Sequence, residues 1–208
     1  MPESSRDKPS VPLSTSRIEA LTDGIFAIAM TLLVLTLTLP DATQTRLNLS
    51  ELLAAQWPKF FNYALSFLLL AVFWIVHHQQ FHYIRRTNRT HIWINIGILM
   101  FVALVPFTTD VAGDYSRQTI AELLFSGNLL ILGLLFLLNW VYACHNHRLV
   151  DADLSRRAIF RGTIRNCITP VVAAISMIVA LFIPRWGLTV YLLIPVIELL
   201  PWFRSRGW

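Results

Sequence analysis

Long apolar stretches broken by short polar ones dominate this chain. Leu123 to Ala143 and Ile168 to Ile183 are apolar nearly all round rather than along one face, the pattern of helices that cross a membrane. About 20 mostly apolar residues are needed to cross roughly 30 Å of hydrocarbon. By that measure six spans are predicted: Ile18 to Leu39, Leu52 to His78, Ile92 to Thr109, Ala121 to Ala143, Arg165 to Ile183 and Leu188 to Phe203. The third and sixth are the shortest, and each carries proline. The polar, Ser- and Pro-containing residues 1–16 are expected to be disordered. Between the spans lie a loop at 40–51, a basic, His-rich turn at 79–91, a loop at 110–118, a longer connection at 144–164 and a tight turn at Pro184 to Gly187. The expected fold class is an all-α integral membrane bundle, with residues 17–208 as one domain and no room for a soluble one.

Composition agrees: 55% of residues are hydrophobic and 14% charged, where a soluble domain carries about a quarter charged. The net charge of +5 gains its meaning from position. With the N-terminus inside, the inner segments hold Arg6, Lys8, Arg17, Arg85, Arg86, Arg89, Arg148, Arg156, Arg157, Arg161, Arg165, Arg204 and Arg206, and the outer ones only Arg46, Lys59, Arg117 and Arg185. This positive-inside bias predicts both termini in the cytoplasm of a multi-pass plasma-membrane protein. The same charges meet anionic lipid head groups. No soluble basic face with stacking aromatics exists for nucleic acid. Trp57, Trp140, Trp186, Trp202 and Trp208 lie near span ends, where membrane interfaces favour indole rings. Cys144 and Cys167 fall on the reducing side and read as free thiols. The first apolar run is too long for a signal h-region and lacks a small-residue cleavage site, so it is expected to be retained.

The first span is unusual. It opens with Arg17, Glu19, Thr22 and Asp23 at the membrane edge, where charges are costly and usually paired or functional. At 100° per residue, Arg17, Leu21, Gly24, Ile28, Leu32, Leu35 and Leu39 fall within about 40° of one line. Thr31 sits beside that line, and Asp23 projects from nearly the opposite side. A helix packed against its neighbours produces such an aliphatic stripe as readily as a pore does.

The string Arg17-Ile18-Glu19-Ala20-Leu21-Thr22-Asp23-Gly24, followed by Ile-Phe-Ala-Ile-Ala-Met-Thr-Leu-Leu-Val-Leu, resembles the start of the first helix in prokaryotic relatives of the lysosomal potassium channel called transmembrane protein 175. That family carries Arg-x-x-x-Phe-Ser-Asp-Gly; Leu21 and Thr22 depart from Phe-Ser but keep an apolar and a hydroxylated side chain. Phe73-Trp74-Ile75-Val76-His77, Asn95 and Pro106-Phe107-Thr108-Thr109 extend the likeness to about residue 109. The resemblance implies a homotetramer of six-helix subunits conducting potassium, with the first helix lining the pore and no cofactor. It implies that Ile28, Leu32 and Leu35 narrow the pore, that Thr31 sets hydroxyls by the ion path, and that Arg17, Asp23, Trp74, His77 and Asn95 form a structural polar cluster at the cytoplasmic ends of the first three helices. No Thr-Val-Gly-Tyr-Gly filter sequence occurs in the chain, so only modest selectivity for potassium over sodium is expected.

Other classes leave weaker marks. His77, His78 and His82 are a candidate metal group, but only His78 and His82 have the i, i+4 spacing that shares a helix face, so no metal is expected. His145 and His147 face different directions near an interface and read as solvated or lipid-facing. A secondary transporter is the main alternative, since Pro170 and Pro195 are placed to break the last two spans; however, Asp23, Glu122 and Glu198 all sit near span ends rather than at the midplane where a carrier keeps its acid. No Ser-His-Asp grouping, HExxH or Gly-x-Ser-x-Gly motif suggests an enzyme.

Overall fold

The structure is a computed structural model that describes residues 14–39, 48–183 and 187–199. The described residues are helical: α1 (Thr15–Leu32) continued by a 3-10 turn (Leu33–Thr36), a short α2 (Leu49–Ala55), α3 (Trp57–Tyr83), α4 (Arg89–Asp114), α5 (Thr119–Cys144), α6 (Arg156–Phe182), then a 3-10 turn (Leu188–Leu192) running into α7 (Leu193–Leu199). Five helices are long and apolar enough to cross a membrane: Thr15–Thr36, Trp57–Tyr83, Arg89–Asp114, Thr119–His147 and Arg156–Phe182. The predicted sixth span is represented by the shorter apolar helix Leu188–Ile197; the rest of its expected length lies outside the described residues, as do residues 1–13 of the expected tail. Thr15 and Ser16 of that tail are helical.

Helix ends differ from the sequence expectations where capping chemistry overrides hydropathy. α6 starts at Arg156, not Arg165, because the Ser155 hydroxyl accepts from the Ala158 N–H and arginines extend a helix as well as apolar residues do. α4 starts at Arg89 because the Asn88 side chain accepts from the His91 N–H at 2.9 Å. It continues to Asp114 and so absorbs much of the predicted 110–118 loop. Pro58 stands in the first turn of α3, where its missing N–H costs nothing.

α5 is the central element and packs against both α4 and α6, while α1 lies on α3 and α4. Phe26 and Leu33 of α1, Leu69 and Phe73 of α3, Ile98 and Val102 of α4, Leu129 and Phe136 of α5 and Ala173 of α6 form one core. Phe73 and Phe136 meet ring to ring at 5.2 Å. Gly133 lets α6 approach so closely that an added Cβ would stand 2.8 Å from Cδ of Pro170. Trp140 departs from its expected interfacial place: it is buried against Gly162, and its Nε1–H donates to the Ile159 carbonyl at 3.2 Å. Trp186, Trp202 and Trp208 lie outside the described residues, and Trp57 is exposed. Cys144 and Cys167 are free thiols.

Candidate functional site: the first helix and its polar supports

Helix α1 presents two unlike sides. Ile18, Thr22, Phe26, Ala29, Leu33 and Thr36 face inward and are buried in the protomer. The aliphatic stripe predicted from the sequence lies elsewhere: Ile28 is 60%, Leu32 42% and Leu35 67% exposed, with Leu21 and Leu39 also exposed. A packing role within the protomer is therefore taken by a different set of residues than the stripe. Gly24, on the stripe, has no atom within 4 Å of where a Cβ would sit. Thr31 is exposed beside the stripe, and its hydroxyl donates to the Ile28 carbonyl at 2.8 Å. That bond uses the hydroxyl hydrogen and leaves oxygen lone pairs directed away from the helix.

The expected polar cluster divides. Trp74 of α3 donates its indole N–H to Asp23 Oδ1 at 2.8 Å, an exposed contact that ties the edge of α1 to α3. Arg17 is exposed and has no hydrogen bond or ion pair among the described residues. His77 and Asn95 belong to a separate, buried network. His77 Nε2 lies 3.1 Å from Asn95 Oδ1. Asn95 Nδ2 donates to the His91 carbonyl at 2.8 Å and to Asn139 Oδ1 at 3.0 Å, so its Oδ1 is the acceptor and His77 Nε2 carries the proton. Asn139 Nδ2 donates to Gln80 Oε1 at 2.7 Å. Gln80 Nε2 donates to the Phe136 carbonyl at 3.0 Å and to Asn166 Oδ1 at 2.7 Å. Asn166 Nδ2 ends the series on the Gly162 carbonyl at 2.8 Å.

Donation thus runs one way, from His77 through Asn95, Asn139, Gln80 and Asn166, across α3, α4, α5 and α6. In hydrocarbon such groups must be satisfied internally, and interhelical amide bonds join spans that have no hydrophobic drive to associate. The sequence reading missed Gln80, Asn139 and Asn166. The available signal was a strongly polar amide inside an otherwise apolar helix, with Gln80 three residues from His77 on the same face of α3.

The histidines do not converge. His77 is buried, stacked on Phe81 at 4.4 Å and committed to Asn95; His78 stacks on Trp74 at 6.0 Å. His82 lines a cleft of about 340 Å³ with Tyr83, Arg85, Asp151 and Asp153, in which Arg85 and Asp151 approach to 3.7 Å. Among the described residues no three His, Cys, Asp or Glu side chains are grouped to hold a metal ion. At the opposite end of α1, Lys59 pairs with Asp114 and donates to Thr38 at 3.4 Å beside a cavity of about 460 Å³. These contacts fasten the segment that follows the 3-10 turn after α1 to α3 and α4.

The sequence pattern of the family described as "Endosomal/lysosomal potassium channel TMEM175" matches residues 17–106. A protein of Streptomyces collinus named as a potassium channel is 32% identical over 174 residues, 80% of this chain and 84% of that one. Mouse "Endosomal/lysosomal proton channel TMEM175" is 34% identical over 119 residues, 54% of this chain but 24% of the much longer mouse protein. Among solved structures, a lysosomal potassium-selective channel TMEM175 homolog from Chamaesiphon minutus superposes with a TM-score of 0.80 at 26% identity, covering 93% of this chain and 98% of that one. In sequence over most of its length and in fold, the chain belongs to the TMEM175 family of ion channels.

Proposed function

We propose that this protein is a potassium-permeable channel of the cell membrane, assembled as a homotetramer around α1, with potassium favoured modestly over sodium. The observation that carries the reading is the aliphatic stripe on α1 left uncovered by its own protomer, set apart from the face that packs α1 inward. A single exposed helix cannot enclose an aqueous path, and closed cyclic symmetry supplies the missing walls. In that assembly Ile28, Leu32 and Leu35 form stacked aliphatic rings that close the path by dewetting, and Thr31 contributes the hydroxyl oxygens nearest a dehydrating cation. Asp23 with Trp74, and Lys59 with Asp114 and Thr38, hold the two ends of the helix at a fixed tilt. Arg17 lies at the mouth. Both termini are cytoplasmic, following the distribution of Arg and Lys, and a shorter sixth span is completed by the segment that begins at Leu188.

The test is potassium flux and single-channel recording on purified protein in liposomes, with sodium and protein-free controls. Wild type should give unitary events carried by potassium in preference to sodium. Ile28→Asn should raise potassium conductance while the protein remains tetrameric, and Thr31→Val should lower the potassium-to-sodium preference because it keeps shape and removes the hydroxyl. Slow saturable flux without unitary events would indicate a carrier and overturn the reading.

A further inference from the structure

A second polar group lies away from α1, between α5, α6 and the turn that leads into α7. Glu122 is 1% exposed, and Ser126, one turn further along α5, is fully buried with it. Ser126 Oγ lies 3.1 Å from Ser176 Oγ of α6, and the Ser176 hydroxyl also bonds the Gly187 carbonyl at 2.9 Å. Tyr191 is buried with its ring edge-on to Phe125 at 5.6 Å, and its hydroxyl faces Ser126, Ser176 and Glu122. Gly187 is seated so tightly on the Glu122 carboxyl that no Cβ fits between them. Glu122 Oε2 is buried without a side-chain hydrogen-bond partner.

Apart from the Gly187 backbone N–H beside the carboxyl, every polar atom of this group is oxygen. The groups facing the carboxyl are Ser126 on its own helix, Ser176 on α6, and Gly187 and Tyr191 on the following turn. No Lys, Arg or His among the described residues faces it. An isolated ionised carboxylate in an apolar interior costs far more than one neutralised in place. A carboxyl oxygen wholly buried among neutral groups, with no cationic neighbour among the described residues, is unusual in a folded protein and signals a missing partner. A cation supplies both needs: it removes the charge of Glu122 and occupies the open lone pairs of its neighbours.

We infer that Glu122, Ser126, Ser176, Tyr191 and the Gly187 carbonyl form a buried site for one small monovalent cation, a proton or an alkali-metal ion, which holds the C-terminal turn onto α5 and α6. The site involves none of the α1 stripe, so it stands or falls separately from the pore. The proton and the metal ion differ in what they leave on the carboxyl. A bound proton gives the infrared C=O stretch of a carboxylic acid, whereas a bound sodium or potassium ion leaves a carboxylate.

The experiment uses full-length protein in nanodiscs, wild type and Glu122→Gln, at neutral pH. Infrared spectra are taken in light and heavy water, and melting temperatures in sodium, potassium or choline chloride at equal ionic strength. A carboxylic-acid band present in wild type, shifted by deuterium and absent in Glu122→Gln supports the site with a proton as its occupant. Absence of that band, together with a melting temperature raised by sodium or potassium over choline in wild type alone, supports it with a metal ion. Neither a band nor a cation-dependent difference overturns it. Should Glu122→Gln fail to fold, Tyr191→Phe and Ser126→Ala keep the carboxyl and remove its neighbours. Each should shift the acid band or reduce the cation-dependent melting shift, and unchanged behaviour in both overturns the site.

Discussion

Replacing Asn139 by Leu tests whether the one-way amide series contributes stability. Asn139 donates to Gln80 Oε1 and accepts from Asn95 Nδ2, and a leucine, branched alike though larger, abolishes both bonds. The two losses are not equal. Asn95 Nδ2 keeps its bond to the His91 carbonyl, so it forfeits one interhelical bond, about 0.6 to 1.7 kcal/mol in membrane proteins. Gln80 Oε1 is left without a donor in a dry interior, which costs about 1–3 kcal/mol. Leucine returns part of this through apolar contact, and the net expectation is a loss of roughly 2 kcal/mol. Asn128, also buried on α5, is the internal control. Its Oδ1 has no partner and its Nδ2 makes only a 3.4 Å contact with the Phe101 carbonyl. Asn128→Leu should therefore be neutral or stabilising. Equilibrium unfolding in mixed micelles, with a double-mutant cycle of Gln80→Met and Asn139→Leu, measures both terms. The cycle should show the double mutant costing less than the sum of the singles, by about 1 kcal/mol, because the orphan created by one change is removed by the other. Equal effects of Leu at 128 and 139, or additive behaviour in the cycle, would refute the reasoning.

Other consequences are as direct. Phe26→Ala should destabilise the protein by about 3–5 kcal/mol because Phe26 is core, whereas Leu35→Ala should cost below about 1 kcal/mol and increase potassium conductance if the stripe borders water; the contrast is read by unfolding and by flux. Gly162→Ala should lose about 1–3 kcal/mol through overpacking against Trp140, visible as a lower melting temperature. Gly24→Ala should be silent in a dispersed protomer, and any effect on tetramer yield reports contact with a neighbouring subunit. Trp74→Phe should reduce tetramer yield more than it changes selectivity, since it removes the donor to Asp23 and leaves the stripe intact; lost selectivity with normal assembly would contradict a supporting role.

Helix existence was legible because hydropathy is a property of single segments. α4 and α5 enclose their predicted spans, while α3 and α6 overlap theirs but are displaced, α3 starting at Trp57 rather than Leu52 and α6 at Arg156 rather than Arg165. The errors lie at the ends, where Ser155 and Asn88 set the first turns of α6 and α4 by local hydrogen bonding that a hydropathy window does not register. The stripe on α1 was legible as a period, but its exposure was not, since α3 and α4 take the face bearing Phe26 and Leu33 instead. The Asp23–Trp74 and His77–Asn95 contacts followed from residues the resemblance singled out. Gln80, Asn139 and Asn166 escaped because each is one amide in an apolar run, and their meaning arises only when four helices bring them to hydrogen-bonding distance. Trp140 was misplaced for a related reason: nearness to a span end says interface, while the partner that buries it, Gly162, lies on another helix.

The position of α1 also has a consequence for biogenesis. Its inward face rests on α3 and α4, and its side-chain tie at the Asp23 end reaches Trp74, 51 residues downstream. At roughly 5–20 residues per second of synthesis, several seconds or more separate the emergence of α1 from that of the helices that receive it. During that interval the nascent helix has lipid on every side. If α1 lines the pore as proposed, it must first be oily enough to wait in the bilayer, and the alternation of Ile28, Leu32 and Leu35 with a lone Thr31 meets both demands. In the proposed assembly, selection on the conducting surface is limited by what the insertion machinery will release into lipid, which leaves little room for charged residues along that wall.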